Sequence, residues 1–193
     1  DNVRFPASMV DRIVPEPTPD DAAQVASACG LADAAPVVHE PFRQWVLQDQ
    51  FAVRPAWETA GVQFVSDVAP FEHAKLRMLN GTHSALAYLG YLAGHETIVD
   101  TVNDTILAAY IRRLWADEII PTLAEPPGMN LAAYASTLFE RYANPAIRHR
   151  TSQIAMDGSQ KLPQRLLGTL RDRLRDGGSV TLLCHAIAGW MRY

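Results

Sequence analysis

Phe71-Glu72-His73-Ala74-Lys75-Leu76-Arg77-Met78-Leu79-Asn80-Gly81-Thr82-His83-Ser84-Ala85-Leu86-Ala87-Tyr88-Leu89-Gly90-Tyr91-Leu92 is the stretch on which the fold turns. It reads as one or two helices, with Gly94 beyond it as a stop. At roughly 100° per residue, His83 falls about 80° round such a helix from Lys75, and Asn80 about 140°. The three polar side chains therefore share one side with Leu76 and Leu79. Polar groups in an apolar sector are costly to bury unless they have partners or chemistry to perform. Spacing leaves two readings open: a satisfied core histidine beside a lysine that snorkels to solvent, or a site. Asn80-Gly81 is a turn signal that weakens the helix locally. A glycine there can equally let a ligand or cofactor approach the backbone.

Outward from this stretch the pattern stays helical on the C-terminal side. Residues 96–120 read as a second long helix ended by Pro121, and 131–142 as a third that stops before Asn144-Pro145. Residues 163–175 and 179–192 form a helical pair joined by Gly177-Gly178. Such short joints suit antiparallel neighbours. On the N-terminal side, residues 1–70 are proline-rich, with β-prone runs at 9–14, 43–47 and 62–65. Between them Thr18-Pro19-Asp20-Asp21 opens a short helix, with Thr18 as N-cap, and Gly30 closes it. The expectation is a mainly α chain: a multi-helical domain over 71–193 and a collar of a few short N-terminal strands over 1–70.

Bulk properties narrow the function. The chain has 193 residues, 48% of them hydrophobic, and a net charge of −4, so it can bury a core and lacks the basic balance of a general nucleic-acid binder. No apolar run reaches the roughly 18–20 residues of a membrane span. Cys29 and Cys184 lie far apart outside any motif, which suits a reduced cytoplasmic compartment and no disulfide. The chain opens at Asp1 without a methionine and closes inside an apolar helical run, so both ends read as cuts within a longer protein. The sequence carries no Gly-x-Gly-x-x-Gly, no Walker loop, no His-Glu-x-x-His, no Cys/His cluster at metal spacing and no Gly-x-Ser-x-Gly. Enzyme chemistry here would be metal-free, would use groups such as Lys75, and would borrow a cofactor domain.

A second polar segment runs Asn144-Pro145-Ala146-Ile147-Arg148-His149-Arg150, then Gln153, then Asp157-Gly158-Ser159-Gln160-Lys161-Leu162-Pro163. Its basic and amide groups can grip a hydroxylated or anionic small molecule. The plainer alternative is a solvated joint between helices, with Asp157-Gly158-Ser159 as turn chemistry.

Four ordered blocks resemble the mannitol dehydrogenase family, the polyol-specific long-chain dehydrogenases and reductases. They are Phe5-Pro6-Ala7-Ser8-Met9-Val10-Asp11-Arg12-Ile13-Val14-Pro15, Glu40-Pro41-Phe42-Arg43-Gln44-Trp45-Val46, residues 75–85 and residues 157–163. Arg54-Pro55-Ala56-Trp57-Glu58 also fits, with Val53 where the family leads one to expect a glycine. The resemblance implies an N-terminal Rossmann-type NAD domain, absent from this chain, and a helical C-terminal domain similar to that of 6-phosphogluconate dehydrogenase. It implies Lys75 as general base and Asn80 as an oxyanion-hole amide, with His83 and Lys161 as substrate ligands and NAD as the cofactor. The second oxyanion-hole asparagine of the family would lie upstream of Asp1.

The implied chemistry is coherent: a secondary alcohol loses a proton as its hydride departs. A lysine accepts that proton near neutral pH only where burial or a neighbouring cation disfavours its charged form. Asn80 would donate to the developing alkoxide and His83 would orient the substrate. One departure bears on the substrate. The mannitol-oxidising branch leads one to expect an arginine eight positions before the lysine matched by Lys161, and Gln153 stands there. The run 149–165 looks more like the fructuronate reductase (mannonate oxidoreductase) branch, whose substrate carries a carboxylate. Lys161 would supply one charge to it, Arg150 or Arg165 a second, and Gln153 an amide. The expected partners are a small sugar acid or polyol and the chain's own Rossmann domain. The alternatives are a mannitol 2-dehydrogenase or related polyol dehydrogenase, and a non-catalytic helical interaction module.

Overall fold

The computed structural model describes residues 3–193. Three short strands form the N-terminal sheet in the order β1 (Ser8–Asp11), β2 (Gln44–Gln48), β3 (Val62–Val65). β1 runs antiparallel to β2 with Val10 opposite Trp45, and β3 runs parallel to β2 with Val62 opposite Trp45. Alternation then sends Met9 and Val46 to one face, where they meet Val68 and Phe71 in a small apolar cluster. The inserted helix α1 (Pro19–Cys29) begins and ends as its residues dictate. Thr18 and Asp21 make a reciprocal capping box, and Gly30 adopts a left-handed φ of 69°.

The helical body starts at α2 (Ala69–Ala74) and continues without a break through a π-helical segment, Lys75–Gly81, into α3 (Thr82–Leu92). Gly94, at φ 87°, ends the rod. The expected turn at Asn80-Gly81 does not form, and no ligand is needed to explain the glycine. Gly81 is helical, and a Cβ built on it would lie 2.6 Å from the backbone oxygen of Arg165. Its missing side chain lets a second helical backbone close against the rod.

The expected single helix over 96–120 is also divided. α4 (Ile98–Asn103) and α5 (Thr105–Arg113) meet at Asp104, whose backbone leaves the helical region at φ −71° and ψ 119°. Its carboxylate accepts from the amides of Ile106 and Leu107 and pairs with His95, so the aspartate caps a new helix rather than continuing the old one. A second π-helical segment, Leu114–Ile119, follows, and Pro121 sits inside a short 3-10 turn. α6 (Leu131–Tyr142) has the expected bounds. The segment after it is not a solvated joint. It folds into α7 (Thr151–Ala155) and α8 (Gly158–Leu162), and Ile154, Ala155 and Leu162 enter the main core. A third π-helical segment, Pro163–Leu167, leads into α9 (Gly168–Arg175), and α10 (Thr181–Arg192) closes the chain. Buried Glu118 accepts from the Leu182 and Leu183 amides, which the first turn of α10 would otherwise leave unpaired.

The sheet is pinned to the helices by a buried ion cluster. Arg141 on α6 donates to both oxygens of Asp11 and both oxygens of Glu40, while its guanidinium stacks 4.0 Å over the Phe42 ring. Tyr134 donates to Asp11, and the Ile13 amide donates to Glu40. This cluster fixes the end of β1 against α6, next to the residues that line the candidate site. No described helix is long and apolar enough to cross a membrane.

Candidate functional site

The π-helical segment determines how the first group of polar residues is arranged. Bonding from i to i+5 brings residues five apart onto one side, as the α-helix does for residues three and four apart. Lys75 and Asn80 have that spacing, and His83 follows three residues later, in α3. Side chains hold the widened turn open by taking its displaced carbonyls. The Trp115 indole donates to Met78 O at 3.0 Å, and the Tyr142 hydroxyl donates to Leu79 O at 2.7 Å. Thr82 adds a hydroxyl between Met78 O and Tyr142. Arg77, on the same segment, ties it to Thr122 and Asp172.

Lys75 is partly exposed and donates to the carbonyl of Val10 on β1, so the sheet positions its amine. Asn80 is half-buried, with no hydrogen bond from its amide among the described residues. His83 stacks at a tilt on Tyr142, with ring centroids 5.2 Å apart, and meets His149 edge to face at 5.0 Å. A small cavity of about 10 Å³, roughly room for one water, is lined by His83, Arg141, Tyr142 and His149 with Ile13, Ile98 and Ile147. Burial, then the neighbouring His149, Arg165 and Arg141, holds the His83 imidazole well below its ordinary titration range. His83 is thus neutral at physiological pH, with one ring nitrogen to donate and one to accept.

The second polar segment separates on inspection. Lys161 approaches the group: burial first, then its charge, lowers the pKa of His149. Its ammonium donates to Met156 O at 2.6 Å and lies 3.9 Å from the exposed Asp157 carboxylate. Gln153 reaches the other way, donating to Glu16 at 3.0 Å. Arg150 is exposed at the N-cap of α7, and among the described residues no hydrogen bond or ion pair links its side chain to the others. The structure therefore brings together Lys75, Asn80 and His83 on one rod, with Lys161 nearby. Gln153 and Arg150 stand apart from them.

Two residues carry more weight than sequence reasoning gave them. His149 appeared only as one member of a basic run. The Ile98 amide donates to its carbonyl, which fixes the loop that holds the imidazole against His83. Arg165 appeared only as one of two candidate cations. It lies half-buried along α3, donating to Ser84 Oγ at 3.1 Å. No local pattern distinguishes either residue, because each depends on a contact far away in the chain.

The residues present were also compared with the needs of a dinucleotide. The strand-to-helix connections at 12–18 and 66–68 contain no glycine, so neither offers the close backbone approach that a pyrophosphate requires. A broad depression of about 480 Å³ lies on the sheet, lined by Val10, Arg12, Arg43, Trp45 and Val62 among others, and it touches the site only through Val10. No group of three or more His, Cys, Asp or Glu suited to a metal ion occurs among the described residues.

Comparison with known proteins assigns both parts of the chain to one family. Residues 67–193 match the family model for the mannitol dehydrogenase C-terminal domain, and residues 1–59 match that for the mannitol dehydrogenase Rossmann domain. The chain is 55% identical over its whole length to the D-mannonate oxidoreductase of Escherichia coli K12, covering 40% of that protein. It is 40% identical over 98% of its length to the mannitol 2-dehydrogenase of Aspergillus terreus, covering 38%. The structure of Pseudomonas fluorescens mannitol 2-dehydrogenase, a ternary complex with NAD and D-mannitol, superposes with a TM-score of 0.89 at 42% identity, over 96% of this chain and 38% of that one. The chain thus spans about two fifths of the relatives it matches.

Proposed function

The chain belongs to the mannitol dehydrogenase family, and from that premise we propose that it forms the substrate-binding and catalytic part of an NAD-dependent oxidoreductase interconverting D-mannonate and D-fructuronate. NAD, when bound, supplies the hydride acceptor; its pyrophosphate does not fit the residues of this chain. What this chain contributes is control of the alcohol. The Lys75 amine, positioned by its hydrogen bond to Val10 O, is the general base that takes the hydroxyl proton of the reacting carbon. As that proton leaves and the hydride departs from the same carbon, the oxygen passes through alkoxide character to a carbonyl. Asn80, one π-turn along, donates to this oxygen. Neutral His83 holds a neighbouring hydroxyl and so fixes which carbon faces the base. Lys161 supplies positive charge on the substrate's far side.

The observation that carries the reading is the placing of Lys75, Asn80 and His83 along one rod whose π-helical turn is held open by Trp115 and Tyr142. The sugar-acid assignment is supported by the 55% identity to a protein named D-mannonate oxidoreductase. A polyol reading draws on the relatives named mannitol 2-dehydrogenase. The test is kcat/KM for D-mannonate against D-mannitol with NAD, measured on full-length protein. Mannonate is expected to win; a preference of about tenfold or more for mannitol, equivalent to about 1.4 kcal/mol, transfers the chain to the polyol branch. No turnover of any sugar acid or polyol would leave a non-catalytic module.

A further inference from the structure

Two arginines of the helical body with largely buried side chains have carboxylate partners. Arg141 has Asp11 and Glu40, and Arg77 has Asp172. Arg165 differs. It donates through Nη1 to the neutral Ser84 hydroxyl, its Nε is buried with no partner, and no acidic side chain pairs with it among the described residues. His149 Nδ1, on the ring that meets His83, is likewise buried without a partner among the described residues. Burial lowers the pKa of Arg165, as expected of a cation whose counter-charge is missing. A half-buried cation without a counter-charge is destabilising, a cost a fold can carry at a place where an anion arrives.

We propose that Arg165, which with His149 adjoins His83, forms the subsite that grips the carboxylate of a sugar acid and sets the preference for it over a neutral polyol. Ser84 occupies only Nη1, which leaves the Nε–Nη2 edge of the guanidinium without a partner among the described residues. That edge matches the two oxygens of a carboxylate. Position agrees with chemistry: Ser84 follows His83 on α3, and the Arg165 backbone packs on Gly81, beside Asn80. The cation therefore stands next to the groups assigned to the substrate's hydroxyls. Lys161 is the less suitable anchor, since its ammonium is already bonded to Met156 O and faces Asp157.

This inference rests on the sugar-acid reading, and its test separates the two. Full-length wild type is first assayed with NAD on D-mannonate and D-mannitol, then Arg165→Gln and Arg165→Lys on both. Arg165→Gln should lower kcat/KM for mannonate by at least about tenfold, the loss of a charge-assisted hydrogen bond, mainly through KM. Mannitol should change by less than about threefold, and Arg165→Lys should retain part of the preference. If wild type prefers mannitol, the sugar-acid reading falls and this subsite with it. If wild type prefers mannonate and Arg165→Gln prefers it as strongly, or loses both substrates equally, the subsite alone falls. Should Arg165→Gln not fold, calorimetry on the wild type with NAD near pH 6, in two buffers of different ionisation enthalpy, decides. Mannonate should bind with proton uptake by His149 and mannitol without it; equal uptake overturns the proposal.

Discussion

Replacing Arg141 with methionine removes the one cation between two buried carboxylates while nearly preserving side-chain length. Asp11 is fully buried and Glu40 is 2% exposed. Without the guanidinium, Asp11 keeps only the Tyr134 hydroxyl at 2.9 Å, and Glu40 keeps only the Ile13 amide at 2.6 Å. Breaking a buried ion pair from one side costs about 3–5 kcal/mol, because the remaining charge is left uncompensated. For a chain of this size that corresponds to a fall in Tm of roughly 6–20 °C. The pH dependence gives a sharper check. Protonation removes the uncompensated charge of the stranded carboxyls, so the variant's deficit should narrow on acidification and widen as pH rises. Urea unfolding of the wild type and Arg141→Met at pH 5 and pH 8 measures both effects. Adding Asp11→Asn and Glu40→Gln to Arg141→Met should recover part of the loss. A deficit below about 1 kcal/mol, the size of an exposed pair, or the same deficit at both pH values, would refute the view that this cluster pins the sheet to the helices.

Lys75→Ala in full-length protein should lower turnover by about 10²–10⁴, the usual contribution of a general base, with small amines restoring part of it and chelators leaving the wild type unchanged; near-normal turnover would remove the mechanism. Gly81→Ala should cost about 1–3 kcal/mol in urea unfolding and reduce activity, since its Cβ would meet the Arg165 backbone rather than a flexible side chain; an unchanged midpoint would mean that the two helices can part freely. His83, whose imidazole burial holds well below the ordinary value of about 6.5, should titrate below that value by NMR. The folded state then binds fewer protons than the unfolded one, so its share of stability is complete above about pH 6.5 and is lost as pH falls below it. A His83 midpoint at or above 6.5 would contradict the neutral role.

Local chemistry explains most of what the sequence made legible. Thr18, Asp21 and Gly30 bound α1 because capping needs only residues within a turn of the helix end. The bounds of α6 follow from Asn130 at its start and Asn144-Pro145 beyond its end. The break at Asp104 was missed because an aspartate inside an apolar 3.6 period is the same letter whether it faces solvent or caps a new helix. The π-helical turn at Lys75–Gly81 was missed for a related reason. Its cause is not in its own residues but in Trp115 and Tyr142, 37 and 63 residues away along the chain, which take the freed carbonyls. Reading at 100° per residue put Asn80 about 140° from Lys75 and still on one side with it; the wider π-helical turn narrows that angle.

The two arginines carry the same point into the chemistry of the site. Arg141 and Arg165 both occupy helical segments among apolar neighbours, and neither has a local signature. Arg141 finds its acids 130 and 101 residues upstream, and its charge is spent on holding the fold together. Arg165 finds a serine 81 residues upstream and no acid among the described residues. A window of sequence cannot tell a neutralised cation from an open one, because the difference lies in what the rest of the chain delivers to it. Once the fold is known, that difference directs attention to a single guanidinium edge, and a substrate carboxylate is the partner whose charge and geometry that edge lacks.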